Sequence, residues 1–94
     1  MKLRWTPRAV TDLEEISDYL MVAAPQAWRH LLKRLERLTD ALLDFPLMGK
    51  AGLVKGTREF VLAGTPYILV FQLKDDAIVI VSVRDGRMRM PPGQ

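Results

Sequence analysis

A proline at position 25 stands between two stretches of helical periodicity, and no other feature of the chain constrains its fold as strongly. Before it, Ala9, Leu13, Ile16 and Leu20 recur every three or four residues, with Val10, Tyr19 and Met21 flanking the stripe. After it, Trp28, Leu31, Leu32, Leu35, Leu38, Leu42 and Phe45 make a second stripe about twenty residues long, or ~30 Å of helix. The residue preceding a proline is pushed out of the α region, whereas the proline itself suits the first helical position. Ala23-Ala24-Pro25 therefore closes one helix and opens the next. Thr6-Pro7 gives the same signal for the first helix, with Thr6 as the cap, and Phe45-Pro46 stops the second. Two amphipathic helices joined by so few residues should lie antiparallel as a hairpin, and neither can hide its stripe without a third surface.

The rest of the chain supplies that surface. Lys2 to Trp5 alternates polar and apolar residues and reads as a short strand. Thr57–Ala63, Pro66–Leu73 and Ala77–Arg84 are rich in Val, Ile, Phe and Tyr and are separated by Gly64-Thr65 and Lys74-Asp75-Asp76. Such short connections favour an antiparallel meander. Leu47 to Gly56, with three glycines and two lysines, reads as a loop. In Pro66–Leu73 one face carries Tyr67, Leu69, Phe71 and Leu73 and the other Ile68, Val70 and Gln72, so the strand calls for cover on both sides: the helices on one, a tail or a partner on the other. The expected fold is α+β, one domain spanning 1–94, with an N-terminal strand and an antiparallel helical hairpin packed on a small antiparallel β-sheet. The segment from Met88 to Gln94 has no periodicity and is expected to be extended or mobile in isolation.

Composition then removes whole classes of chemistry. With no cysteine and only His30, the 94 residues cannot build a thiolate or multi-histidine metal site, a disulfide framework or a cysteine nucleophile, and no metal or cofactor is expected. No apolar run approaches the ~18 residues of a membrane span, and the basic N-terminus lacks an apolar targeting core, so the expected location is cytoplasmic, away from membranes. The glycines around Lys50 and Lys55 do not make a phosphate loop. Asp44 stands where its first glycine belongs, Ala51 where its magnesium-binding hydroxyl belongs, and a helix precedes in place of a strand. Net charge is +3, and its distribution is uneven: residues 1–47 carry seven basic and seven acidic groups, residues 48–94 seven basic against four acidic. The C-terminal half is the basic end, through Arg58, Arg84, Arg87 and Arg89 in particular. His30 is expected to be exposed and structural, Trp28 to belong to the core, and Asp85, ahead of Gly86, to be a turn residue.

The order and spacing of several short motifs resemble the RelE/ParE superfamily of bacterial toxins, from toxin–antitoxin operons. They are Trp5-Thr6 followed by Ala9; Asp12-Leu13-Glu14-Glu15-Ile16 through Tyr19-Leu20; Phe45-Pro46-Leu47-Met48-Gly49; Gly56-Thr57-Arg58-Glu59; and Pro66-Tyr67 leading into Ile68-Leu69-Val70-Phe71. The resemblance covers Trp5 to about Pro91. It implies a toxin of a type II toxin–antitoxin system, encoded for functions such as plasmid stabilisation. It also implies a cognate antitoxin, ParD-like with a ribbon-helix-helix DNA-binding region, through which alone the toxin would meet operator DNA.

The superfamily divides between RelE-like proteins, which cleave mRNA in the ribosome, and ParE-like toxins associated with inhibition of DNA gyrase. Cleavage through a 2′-hydroxyl needs a base, an acid and cations for the developing charge. RNA-cleaving relatives often carry a His, then Arg and Tyr, after the last strand. The matching stretch here, Val83-Arg84-Asp85-Gly86-Arg87-Met88-Arg89-Met90, has Asp85 at the His position and no Tyr. An exposed Asp titrates near ~3.9 and makes a weak general acid at neutral pH. Glu59 is a conceivable base, though beside Arg58 a cross-strand or local ion pair is the simpler expectation. The expectation is therefore a ParE-like protein that acts by binding gyrase, with Arg58, Tyr67, Arg84, Arg87 and Arg89 as target- or antitoxin-binding residues. A ribosome-dependent endonuclease using Arg58, Arg84, Asp85 and Arg87 is the first alternative. A non-toxic co-repressor acting with its antitoxin is the second.

Overall fold

The computed structural model describes residues 1–87. In chain order the elements are β1 (Lys2–Trp5), α1 (Pro7–Ala23), α2 (Pro25–Asp44), β2 (Lys50–Ala51), β3 (Arg58–Val61), β4 (Tyr67–Lys74) and β5 (Ala77–Asp85). The two prolines open the two helices as their fixed φ dictates. Thr6 caps α1, its hydroxyl oxygen accepting the Ala9 amide at 3.1 Å. The helix boundary at Ala24 is sharp: its amide closes on the Leu20 carbonyl at 2.7 Å while its backbone leaves the helical region.

The strands form one five-stranded sheet in the order β1-β5-β4-β3-β2. β3, β4 and β5 are the antiparallel meander that their short connections require, and Asp75 takes a positive φ of 57° in the tight turn between β4 and β5. β1, however, pairs parallel with β5, from Lys2 opposite Ala77 to Trp5 opposite Ile80, so the sheet is mixed where an all-antiparallel one was expected. The cause is the hairpin. It carries the chain from β1 across one face to the far edge, and the meander then returns strand by strand until β5 lies beside β1. A crossover of that length permits parallel pairing, which a tight turn cannot. The second difference is β2, inside the segment read as a loop. It is only two residues long and lies between Gly49 and Gly52, so it carries no alternation that a sequence could display.

The core lies between the hairpin and one sheet face. Leu31, Leu42, Leu69, Phe71, Ile78 and Ile80 are fully buried, with Ala9, Leu20, Leu35, Leu38, Leu62, Tyr67 and Val83 packed around them. Trp28 joins this cluster half-buried. Two members of the expected α2 stripe do not: Leu32 lies about 100° around the helix from Leu31 and is exposed, and Phe45, the C-cap, is 66% exposed beyond the last turn. Leu73 shares the alternation of Tyr67, Leu69 and Phe71 but reaches solvent near the end of β4.

β1 covers only residues 77–80 of β5, and α1 takes over the rest of that edge. The Thr6 hydroxyl donates to the Val81 carbonyl at 2.9 Å, and the Val83 amide donates to the Asp12 carboxylate at 3.0 Å. Both bonds flank the irregularity in the β4–β5 ladder, where Val70 pairs with Ser82 but Phe71 with Ile80, leaving Val81 as the extra residue of a bulge. Asp12 is thus a fastening between α1 and the sheet.

Candidate functional site

The residues marked by the sequence fall into three settings, separated by strand alternation. In β3, Arg58 is opposite Phe71 and shares the helix-side face, whereas Glu59 is opposite Val70 on the other. A local ion pair between these neighbours therefore does not form, and the ion pair of Glu59 is a cross-strand one. The Arg58 guanidinium turns instead to the end of α2: Nε donates to the Met48 carbonyl at 3.1 Å, and Nη2 to those of Leu47 at 2.7 Å and Gly49 at 3.0 Å. A planar fork suits three converging carbonyls, and Arg58 acts here as a brace for the Leu47–Gly49 turn.

Glu59 finds its partner two strands away. On the face opposite the helices, Arg84 Nη2 donates to Glu59 Oε1 at 2.9 Å, while Oε2 accepts the Leu53 amide at 3.0 Å. The pair crosses β4 where Ile68 and Val70 point outward. Glu59 is only 5% exposed. Burial pushes its carboxyl up, but the Leu53 amide, the Arg84 guanidinium and the charge of Lys50 outweigh burial and hold it below the usual range. So part of the cover for this second apolar face comes from the chain itself.

The third setting lies at the end of β5. Tyr67 is opposite Asp85 in the ladder, and Asp85 grips Arg87. The Asp85 carboxylate accepts the Arg87 amide at 2.9 Å, Nε at 3.0 Å and Nη2 at 2.8 Å, so Asp85 is the turn residue the Asp-Gly step suggested and the partner of a forked guanidinium as well. The Arg87 side chain, more than burial opposes it, holds the Asp85 carboxyl below its usual range. Tyr67 is buried, and burial together with the Asp85 charge pushes its phenol up. Its ring lines a hollow of about 320 Å³ with Tyr19, Ala24, His30, Gly64 and Arg87. His30 is half-buried, not exposed as expected, because it sits under the β3–β4 turn, where Gly64 at φ +80° leaves room that a Cβ would take from the imidazole. Arg89 lies outside the described residues.

The structure thus brings Tyr67, Asp85 and Arg87 together, sets Arg84 against Glu59 on the opposite face, and leaves Arg58 apart from both. The guanidiniums of Arg58, Arg84 and Arg87 each have an internal partner, and the carboxylates of Glu59 and Asp85 are held more acidic than usual, a poor condition for proton abstraction near neutral pH. Among the described residues no group of three His, Asp or Glu side chains is placed to hold a metal ion, and no helix is long and apolar enough to cross a membrane.

A surface that the motif-based reading did not single out lies between the helices. Val10, Leu13, Trp5 and Trp28 line a groove of about 320 Å³, rimmed by Glu14 and Asp18. Further along α1, Tyr19, Met21 and Val22 are exposed, Val22 to 87%. The flanking apolar positions of α1 were the available signal: three of them, Val10, Tyr19 and Met21, lie outside its buried stripe.

The chain is similar to known proteins over nearly its whole length. Residues 3–90 match the family model described as the ParE toxin of type II toxin–antitoxin system, parDE. Y4kP of Sinorhizobium fredii (strain NBRC 101917 / NGR234) is 36% identical over 90 residues, 96% of this chain and 93% of that protein. Toxin RelE2 of Caulobacter vibrioides is 31% identical over 80 residues, 85% of this chain and 89% of its own. Among solved structures, a chain of the chromosomal ParDE TA system from P. aeruginosa superposes with a TM-score of 0.74 at 25% identity, covering 90% of this chain and 95% of that one. The YoeB/ParE toxin from Agrobacterium tumefaciens superposes with a TM-score of 0.65 at 15% identity, covering 90% and 98%, and shares the fold.

Proposed function

Because the chain belongs to the ParE toxin family of type II toxin–antitoxin systems, we propose that it inhibits bacterial growth by binding DNA gyrase and is neutralised by a cognate, ParD-like antitoxin. The observation that carries the binding reading is the state of the candidate catalytic groups. Asp85, at the position where RNA-cleaving relatives often have His, is committed to Arg87 by three hydrogen bonds, and the other carboxylate, Glu59, is committed to Arg84 and Leu53. Neither is poised to take or give a proton, whereas inhibition by occupying a surface needs shape and apolar anchors.

The antitoxin reading is supported by the helical hairpin. Its groove between Trp5, Val10, Leu13 and Trp28, and the exposed apolar positions of α1, offer an amphipathic segment the burial that a small domain otherwise lacks. The acidic rim at Glu14 and Asp18 favours a segment that brings basic residues there.

Induced expression followed by product analysis tests the function. Relaxed DNA or gyrase-linked breaks with intact mRNA are expected; codon-position cuts in ribosome-bound mRNA would replace this reading with the endonuclease, and a harmless product would point to the co-repressor. The antitoxin at 100 times its Kd should stabilise the toxin by ~2.7 kcal/mol, or roughly 10–20 °C in Tm for a domain of this size. An unchanged melting curve would remove the partnership.

A further inference from the structure

The loop between β2 and β3 runs from Gly52 to Thr57 and is closed on itself by three hydrogen bonds. The Gly52 amide donates to the Thr57 carbonyl at 2.8 Å, the Thr57 amide to the Val54 carbonyl at 3.1 Å, and the Thr57 hydroxyl to the same carbonyl at 2.6 Å. Gly52 leaves no room for a side chain, since a Cβ there would meet the Thr57 hydroxyl. The loop is therefore a preformed unit.

A single side chain of the sheet reaches it by hydrogen bond among the described residues: Glu59, through the Leu53 amide. The other oxygen of Glu59 is held by Arg84, on a strand that β4 separates from β3. The carboxylate so joins the loop to the middle of the sheet. Glu59, Val70 and Ser82 form a row across β3, β4 and β5 on the face away from the helices. All three are nevertheless buried, at 5%, 6% and 8% exposure. Among the described residues no helix lies on that face. At the loop tip Leu53, Val54 and Lys55 are exposed.

We propose that the Gly52–Thr57 loop is a strap latched to the second face of the sheet by the Glu59 carboxylate, and that the latch can open without unfolding the sheet. The asymmetry of the fastenings supports this. The helix-side core is closed by many buried apolar side chains, whereas among the described residues one side-chain hydrogen bond from the sheet reaches the strap, from a carboxylate shared with a guanidinium. Elements held by few buried contacts open at low cost relative to global unfolding. The groups facing Glu59 are Arg84 from β5, Lys50 from β2 and the Leu53 amide from the strap, so neutralising Glu59 loosens the strap and leaves the ladder of β3, β4 and β5 intact.

Amide exchange on the full chain tests the latch. In Glu59→Gln a single carbonyl oxygen faces two donors, and exchange at the Leu53 amide should accelerate by ~10-fold or more while the amides of Leu69 and Ile78 keep their wild-type rates. Trypsin should cut after Lys55 correspondingly faster. Thr57→Val removes a bond inside the loop and leaves the latch, so Leu53 should stay protected. The proposal is overturned if Glu59→Gln leaves Leu53 at its wild-type rate. It is equally overturned if Leu69 and Ile78 accelerate with Leu53, since Glu59 then supports the whole sheet. It also fails if Thr57→Val releases Leu53 as much as Glu59→Gln does, since the turn itself then holds the loop.

Discussion

Replacing Arg58 separates a brace from a contact residue. Its guanidinium donates three hydrogen bonds to the carbonyls of Leu47, Met48 and Gly49, one of them part-buried and two exposed. A buried bond to a charged group contributes about 1.5–3 kcal/mol, and exposed ones far less. Arg58→Ala should then cost about 2 kcal/mol in all, an 8–16 °C drop in Tm for a domain of this length. Arg58→Lys keeps the charge but loses the fork. A point charge on a flexible stem reaches one carbonyl well, so about half the loss, ~1 kcal/mol, should remain. The assay is thermal denaturation of the three proteins followed by circular dichroism, run beside a growth-inhibition assay. If Arg58 is a brace, stability and toxicity fall together and Lys is intermediate. An Arg58→Ala protein that melts within about 2 °C of wild type while losing toxicity would refute this reasoning and return Arg58 to the target-binding set.

Three further outcomes are expected. Phe71→Ala, in the centre of β4 and fully buried, should destabilise the fold by about 3–5 kcal/mol in urea titration without shifting which strands pair. Asp12→Ala should leave the Val83 amide without its acceptor and cost about 1–2 kcal/mol, seen as faster exchange at Val83. Glu59 and Asp85 are both held below their ordinary carboxylate range in the fold. Their stabilisation is therefore full above their unfolded values, near ~4, and is lost as pH falls through the lower folded ones. Tm should drop as pH falls below ~4, and Glu59→Gln should flatten that acid limb; an acid limb unchanged in the variant would contradict the assignment.

The parts of this fold that were legible in the sequence are those set by neighbours along the chain. The prolines at 7 and 25 fixed where the helices begin, the spacing of Leu31, Leu35, Leu38 and Leu42 showed which face of α2 is buried, and the tight connections made β3, β4 and β5 a meander. What escaped depends on partners far away. The direction of β1 is decided by β5, some 75 positions later, as the register of Lys2 with Ala77 shows, and nothing in Lys2–Trp5 encodes parallel or antiparallel. The site was less legible than the fold. Residue type alone groups Arg58, Arg84 and Arg87 as one basic cluster, but a guanidinium is defined by what it faces, and these three face a turn, a buried carboxylate and a surface carboxylate. Strand alternation did hold one clue: adjacent residues of a strand point to opposite faces, which already separates Arg58 from Glu59.

The parallel pairing of β1 with β5 also sets when this protein can become itself. Among the described residues β5 is the last strand to be synthesised, and it lies between β1 and β4 in the finished sheet. Until it emerges, the first strand has no neighbour and the helical hairpin has only an unfinished sheet to pack on. Such long-range closure is slow and comes late. A nascent chain of this protein thus completes its sheet only with β5, and a product truncated before residue 77 has no means of completing it.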